Sequence, residues 1–430
     1  MENYNNIEAT VNHLFRKESG KMVAVLIKIF GTENIELAED VVQDALLKAL
    51  ETWKYRGLPD NPSAWLYRTA KNRAIDVIRR NKHSRVIDFS DPQRQLLTSN
   101  YTLGATMDTY WQEDSIKDDF LAMMFACCHP NISPENQITF ILKSLCGFST
   151  KEVAKAFLTG EDTVSKRLYR TKEYFRKHKI KPQIPKPDQI VLRTNTVLSA
   201  IYLMFNEGYN STHSNDLIRK DLIGQAMLLC RSLFSEERTA LPQVYALMAL
   251  MCFHAARVDS RLGSNGELIL LDKQDRKLWD PSLIDSGKLY MNKASFGNQL
   301  STYHLEAAIA YEHCSARQYE NTNWKKILEY YDILLKLAFD PVVFLNRALV
   351  ILELYGPLEA LEAIDHIKNE KQLQGYYLYH ASLGEINKRL QQLDKAIAHF
   401  ENAIALTGSK QEKQLLEGKI QEMMKSIQSK

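Results

Sequence analysis

An all-α protein is predicted by three observations. Apolar residues recur at helical spacing along most of the chain, residues that start and stop helices punctuate those stretches, and the last part repeats a helix-pair pattern. The expected order is a helical bundle at 1–82, a flexible linker at 83–117, a helix-turn-helix at 118–180, a helical extension at 188–300 and a solenoid of stacked pairs at 301–430.

The first segment, Ile7 to Phe30, and the second, Ile35 to Trp53, have helical periodicity and are separated by a break at Gly31-Thr32. On the second, Asp40, Gln43 and Asp44 fall at i, i+3 and i+4 and share one exposed face, while Val41, Ala45 and Leu46 turn inward. An acidic face is ill-suited to DNA; it is either a docking surface for a basic protein partner or a solvated face. After a turn at Gly57-Leu58-Pro59, Asn61-Pro62-Ser63 supplies a helix start, with Ser63 as N-cap.

The helix Ala64 to Lys82 is two-sided. Leu66, Ala70, Ala74, Val77 and Ile78 form its buried stripe, and Arg68, Lys71, Asn72, Arg79 and Lys82 gather opposite, with Ile75 in their midst. Between Arg68 and Arg85 there are seven basic residues and one acid, Asp76. His83 to Lys117 is polar and irregular and reads as a tether.

Helical pattern resumes at Asp118 to Ala126 and Ser133 to Leu145, and Ser149-Thr150-Lys151-Glu152 has the form of a capping box. That short helix ends near Phe157, and Thr159-Gly160-Glu161 turns into the next, with Asp162 or Thr163 as N-cap. In the second helix Val164, Leu168, Thr171 and Phe175 face inward, leaving Lys166, Arg170 and Lys177 outward with Ser165 and Tyr169 at the flank. This is the geometry of a recognition helix whose first turns, Thr163 included, enter the major groove. Thr163 to Lys186 carries nine basic residues against one acid, Glu173.

Charge is informative only when the chain is divided. The whole is +3, but residues 1–187 hold 28 Lys+Arg against 23 Asp+Glu, and the rest 27 against 29. Six irregularly spaced cysteines make no disulfide framework, and Cys127-Cys128-His129 lacks the spacing of a zinc pair. No basic n-region precedes an apolar run at the N-terminus, and the apolar stretch Val244 to Ala256 is too short to span a bilayer, so a cytoplasmic protein with no membrane contact is expected. No glycine-rich phosphate loop, zinc motif or nucleophile elbow is present; neither cofactor, metal nor enzymatic activity is expected.

Lys179 to Pro187, with three prolines, ends the first half. Near the C-terminus Leu383-Gly384, Ala396, Phe400 and Ala403 fit a tetratricopeptide repeat, with His380 and Asn387 in place of the usual aromatics; Ala348 and Ala360 stand one repeat earlier. Stacked pairs leave a concave groove, which here would take a protein or peptide. Between linker and repeats lie Phe205-Asn206-Glu207-Gly208-Tyr209 and Leu271-Asp272-Lys273-Gln274-Asp275-Arg276-Lys277-Leu278-Trp279-Asp280. Asn206, Glu207, Tyr209, Asp275, Arg276 and Trp279 are read as an ion pair holding helices together or a peptide-docking site of the extension, the alternative being an acid/base constellation of Glu207, Asp275 and Arg276 in an enzyme.

The run Ala38-Glu39-Asp40-Val41-Val42-Gln43-Asp44-Ala45, with Asn61-Pro62-Ser63-Ala64-Trp65-Leu66 and Asn72-Arg73-Ala74-Ile75-Asp76-Val77-Ile78-Arg79-Arg80, resembles domain two of a bacterial extracytoplasmic-function sigma factor; the helix-turn-helix resembles domain four. The two later clusters resemble the subgroup with a fused C-terminal tetratricopeptide domain. The resemblance implies that Asp40, Gln43 and Asp44 dock on the beta-prime clamp helices of core RNA polymerase. It also implies that the loop Tyr55 to Asn61 with Arg68, Lys71, Asn72, Ile75 and Arg79 binds the minus-10 element of promoter DNA, with Trp65 in the core. Thr163, Ser165, Lys166, Tyr169, Arg170 and Lys177 would read the minus-35 element while domain four packs on the beta flap. The alternative is a one-component regulator that binds operator DNA alone and senses a ligand or partner through the repeats.

Overall fold

The computed structural model describes residues 2–81, 87–89, 92–211, 217–234 and 237–428. Among these the chain is all-α: helices joined by turns and short 3₁₀ segments, with an isolated antiparallel bridge between Leu262 and Leu268. It divides into two compact units, Met1–Ala200 and Ile201–Lys430.

The first unit contains α1 (Glu2–Phe30), α2 (Ile35–Arg56), α3 (Pro62–Asn81), α4 (Pro92–Gln95), α5 (Leu103–Tyr110), α6 (Glu113–Cys127), α7 (Pro134–Phe140) continued by a π-turn at Ile141–Leu145, α8 (Thr150–Ala156) and α9 (Glu161–His178); α10 (Pro187–Tyr209) leads into the second. The C-terminal part of α1 is buried all round, Met22 to Ile27 with Ile29 and Phe30, because α2, α3, α6 and the π-turn surround it. Lys28, the polar interruption in that run, reaches Asp119 at 2.6 Å. Gly20 permits the closest approach: a Cβ there would lie 1.7 Å from the Leu145 carbonyl oxygen.

Several local expectations need correction. Ser63 does not cap α3; Asn61 Oδ1 accepts from the Ala64 amide at 3.0 Å, and the Ser63 hydroxyl instead donates to buried Glu18 at 3.2 Å. The N-cap of α9 is Gly160, whose extended backbone starts the helix upstream and leaves Asp162 in the first turn, where a carboxylate complements the helix dipole. Residues 92–110 are not an irregular tether but hold α4 and α5, because Leu97, Leu103 and Met107 bury their side chains and Trp111 packs on Tyr67 with ring centroids 5.8 Å apart. Lys82 and the linker positions 83–86 and 90–91 lie outside the described residues. The capping box of α8 forms as read, Ser149 Oγ accepting from the Glu152 amide at 3.1 Å and Glu152 accepting from the Ser149 amide at 2.6 Å.

The second unit continues with α11 (Lys220–Ser232), α12 (Pro242–Ala255), α13 (Pro281–Ala294), α14 (Thr302–Ser315), α15 (Trp324–Leu337), α16 (Pro341–Leu354), α17 (Pro357–Asp365), α18 (Lys371–Gln374), α19 (Tyr377–Arg389), α20 (Leu393–Leu406) and α21 (Lys410–Gln428). The apolar stretch read from the sequence is α12, buried from Val244 through Phe253 apart from half-buried Tyr245. No helix among the described residues is long and apolar enough to cross a membrane. From α14 to α17, and again from α19 to α21, each helix packs on the next. Small residues sit where helices touch: Ala348, Ala360 and Ala396 are fully buried, and a Cβ on Gly384 would come within 2.6 Å of the Phe400 ring. Asn387 turns its amide back to the Leu383 carbonyl at 2.8 Å, which lets a polar side chain be buried.

Candidate nucleic-acid interface

On α2 the apolar stripe Ile35, Ala38, Val41, Val42, Ala45, Leu46 and Ala49 is buried, which fixes the rotation of the helix and leaves Asp40, Gln43 and Asp44 exposed together. With Leu37, Val41, Arg73 and Val77 they line a shallow groove between α2 and α3. Asp44 is not a bare acid: its Oδ2 takes both Nε and Nη2 of Arg73 at 2.8 Å. Periodicity missed the neighbouring Glu39. Half-buried, it accepts from Ser144 Oγ at 2.8 Å and Lys172 Nζ at 2.7 Å, tying α2 to the π-turn and to the rear of α9.

The rotation of α3 follows from Leu66, Ala70, Ala74, Val77 and Ile78, all buried. Its start is held to α1 by Glu18, which accepts from Tyr67 at 2.5 Å and faces Lys21 at 3.1 Å; burial and that carboxylate push the Tyr67 phenol upward. Arg68, Asn72 and Arg79 are exposed and Ile75 is half-buried. Lys71 differs: its ammonium is paired with Asp108 of α5 at 2.6 Å, so the segment after α3 neutralises one cation of that face. Trp65 packs edge-on against buried Trp53 with centroids 5.3 Å apart, a core role. Tyr55, expected to begin the loop before α3, lies instead in the last turn of α2; it and the loop residue Leu58 are exposed, and Gly57 has φ 75°, the left-handed region that suits glycine.

In α9 buried Val164, Thr171 and Phe175, the last edge-on to Phe140 at 5.3 Å, turn the opposite side to solvent. Thr163, Ser165, Lys166, Tyr169, Arg170 and Lys177 are all exposed, with Tyr169 67% accessible. The Ser165 hydroxyl donates to the Glu161 carbonyl at 3.1 Å and so is partly engaged within the helix. Leu168 and Lys172, on the rear, share a cleft with Phe15, Val23, Val42 and Gln43. Of the three exposed α2 residues, Gln43 alone reaches this cleft; Asp40 and Asp44 line the groove toward α3. Nearby, burial raises the thiols of Cys127, Cys128 and Cys146 well above their usual range, which leaves them as inert packing groups.

In the second unit the residues of the two singled-out motifs make the following contacts. Glu207 is buried, 3.5 Å from Arg219 and accepting from Ser211 at 3.0 Å, whereas Asp275 is exposed and caps the Lys277 amide at 3.0 Å. Asn206 is exposed, and the Tyr209 ring lies 3.8 Å beneath the Arg261 guanidinium, which also donates to the Tyr209 carbonyl. Trp279 is buried, donates to Ser260 at 2.8 Å and is flanked by Arg276 and Arg257. Arg219, Arg257 and Arg261 were not legible as partners, since helical spacing says nothing of contacts between distant elements.

Residues 14–84, the region of α1 to α3, match the family model Sigma-70 region 2, and residues 193–295 match a family of unknown function, DUF6596. The chain is 31% identical over 387 residues to the uncharacterized protein R00370 of Rhizobium meliloti (strain 1021), with 89% of each chain covered. No solved structure matches the chain.

Proposed function

The chain belongs to one family with the Rhizobium meliloti protein and carries a sigma-70 region 2 domain, which makes it a sigma factor of transcription initiation; from that premise we propose that it binds core RNA polymerase as an extracytoplasmic-function sigma factor regulated by a tetratricopeptide-like C-terminal domain. The observation that carries this reading is the two-faced region-2 domain: an exposed acidic edge on α2, Asp40, Gln43 and Asp44, beside an exposed basic face on α3, Arg68, Asn72 and Arg79. The first fits the beta-prime clamp helices; the second fits the minus-10 element. Exposed Lys166, Tyr169 and Arg170 on α9 fit a minus-35 element, with the beta flap as the further partner of that domain.

A compact unit of this size is about 40 Å across, from a radius of gyration of about 16 Å. Minus-35 and minus-10 elements lie about two and a half turns apart, roughly 85 Å of duplex. Both reading helices therefore engage one promoter only after α9 leaves α2, and the Glu39–Lys172 contact holds the closed form. The fused second unit would govern that opening, its groove taking a protein or peptide signal.

The docking surface is tested by Asp40→Lys with Gln43→Lys, measured as binding of the labelled full chain to purified core polymerase. At least a tenfold loss of affinity, about 1.4 kcal/mol, is expected with helix content unchanged; undiminished binding would remove this surface from the account.

A further inference from the structure

The second unit contains buried basic side chains with nitrogen atoms that no described residue hydrogen-bonds. Arg257, two residues beyond the end of α12, is only 8% exposed, and among the described residues it forms no ion pair. Its Nε is buried without a hydrogen-bond partner, and its guanidinium lies 5.2 Å from the Trp279 ring centroid. Arg276 flanks the same ring at 4.5 Å; its Nη1 donates to the carbonyls of His313 and Ala316, both at 2.6 Å, and its Nη2 is buried and unpartnered. His254 and His313 contribute two more buried, unpartnered ring nitrogens, both Nδ1.

A buried guanidinium without a counter-charge is costly, and proteins normally provide a carboxylate. Here the carboxylates next to these residues in sequence have other duties. Asp275 caps the Lys277 amide at 3.0 Å, Asp280 caps α13 through Ser282 at 2.8 Å, and Glu312 pairs with Lys326 at 2.8 Å. Exposed Glu320 reaches Arg276 only through space. Burial, and then the neighbouring Arg257, hold His254 and His313 down to about 3, so both are neutral imidazoles that can donate without adding charge.

We propose that this cluster is a binding site for a small oxyanion, a phosphate group or a carboxylate, held by Arg257 Nε and Arg276 Nη2 with the ring N–H of His313 as a neutral third donor. The forked guanidinium matches both kinds of anion, and both forks lie within 5.2 Å of the Trp279 ring centroid. The site belongs to the region that matches a family of unknown function, and its occupancy is independent of whether the first unit binds polymerase.

The test uses the purified full chain and titrates inorganic phosphate and, separately, acetate against chloride at constant ionic strength, following thermal unfolding and tryptophan fluorescence. Saturable stabilisation by either is expected, and phosphate alone or acetate alone identifies the anion's source. Arg257→Gln should weaken it at least tenfold, while its melting temperature in chloride equals or exceeds that of the parent, because an uncompensated buried charge has been removed. His313→Phe, which keeps both arginines, should weaken it about threefold, and this serves if Arg257→Gln does not fold. No saturable effect of either anion, or equal affinity in both variants, would overturn the assignment.

Discussion

Separating α9 from α2 is the step most accessible to a single substitution. Lys172 Nζ and Glu39 Oε2 lie 2.7 Å apart, with side chains 26% and 22% exposed, between surface and interior. At an effective dielectric of about 20 the attraction is about 4 kcal/mol at 4 Å, and desolvation and side-chain ordering reduce the net to about 1–2 kcal/mol. Lys172→Ala should therefore raise the opening constant about 5- to 30-fold, and Lys172→Glu, which sets a second carboxylate against Glu39 across the contact, should raise it more. Spin labels on cysteines introduced at exposed Asp76 and Lys177 report the change by electron–electron resonance; five native cysteines are buried, and half-buried Cys314 can be replaced by serine. Lys172→Glu should move population to longer distances and raise affinity for core polymerase, and Glu39→Lys added to it should restore part of the closed form. If both charge changes leave the distances and the affinity unchanged, the contact does not hold the unit shut and the reasoning fails.

Arg170→Ala should lower transcription from promoters with a preferred minus-35 sequence by about 1–3 kcal/mol in selectivity; equal loss on every sequence would reassign the residue to phosphate. Gly20→Ala places a Cβ 1.7 Å from the Leu145 carbonyl oxygen, so α1 must shift from the π-turn, and calorimetry should show the first unit destabilised by about 3 kcal/mol or more. Burial, opposed by the Tyr202 hydrogen bond, raises the Glu306 carboxyl to about 7. The native state then keeps a proton that the unfolded chain releases above pH about 4.5, and stability falls as pH rises from there to about 7. Glu306→Gln should remove that slope and gain up to about 3 kcal/mol above pH 7, seen in denaturant unfolding across pH.

The helices of the first unit were legible because their apolar stripes are strictly periodic. Leu66, Ala70, Ala74, Val77 and Ile78 fix which side of α3 is wet, and Val164, Thr171 and Phe175 do the same for α9. Composition was a poorer guide between 92 and 110, where three well-placed apolar side chains, Leu97, Leu103 and Met107, outweigh a polar surrounding. N-caps were read correctly where side chains close a reciprocal box, as at Ser149 and Glu152, and misplaced where a glycine backbone or a neighbouring Asn61 did the work. Exposure of candidate residues follows from periodicity; their partners do not. The pairs Lys71–Asp108, Arg73–Asp44 and Lys172–Glu39 join residues 37, 29 and 133 positions apart and depend on how the helices assemble. The same holds for Arg257, which no motif marks and which only the assembled unit brings to Trp279.

As proposed above, the chain would direct core polymerase to promoters. Run-off transcription with purified core enzyme and the full chain on a randomised promoter library tests it most directly. Transcripts should start at defined positions behind two shared sequence elements, and only when the chain is added. Failure to stimulate any transcript, together with sequence-specific DNA binding by the chain alone, would instead mark a free-standing regulator.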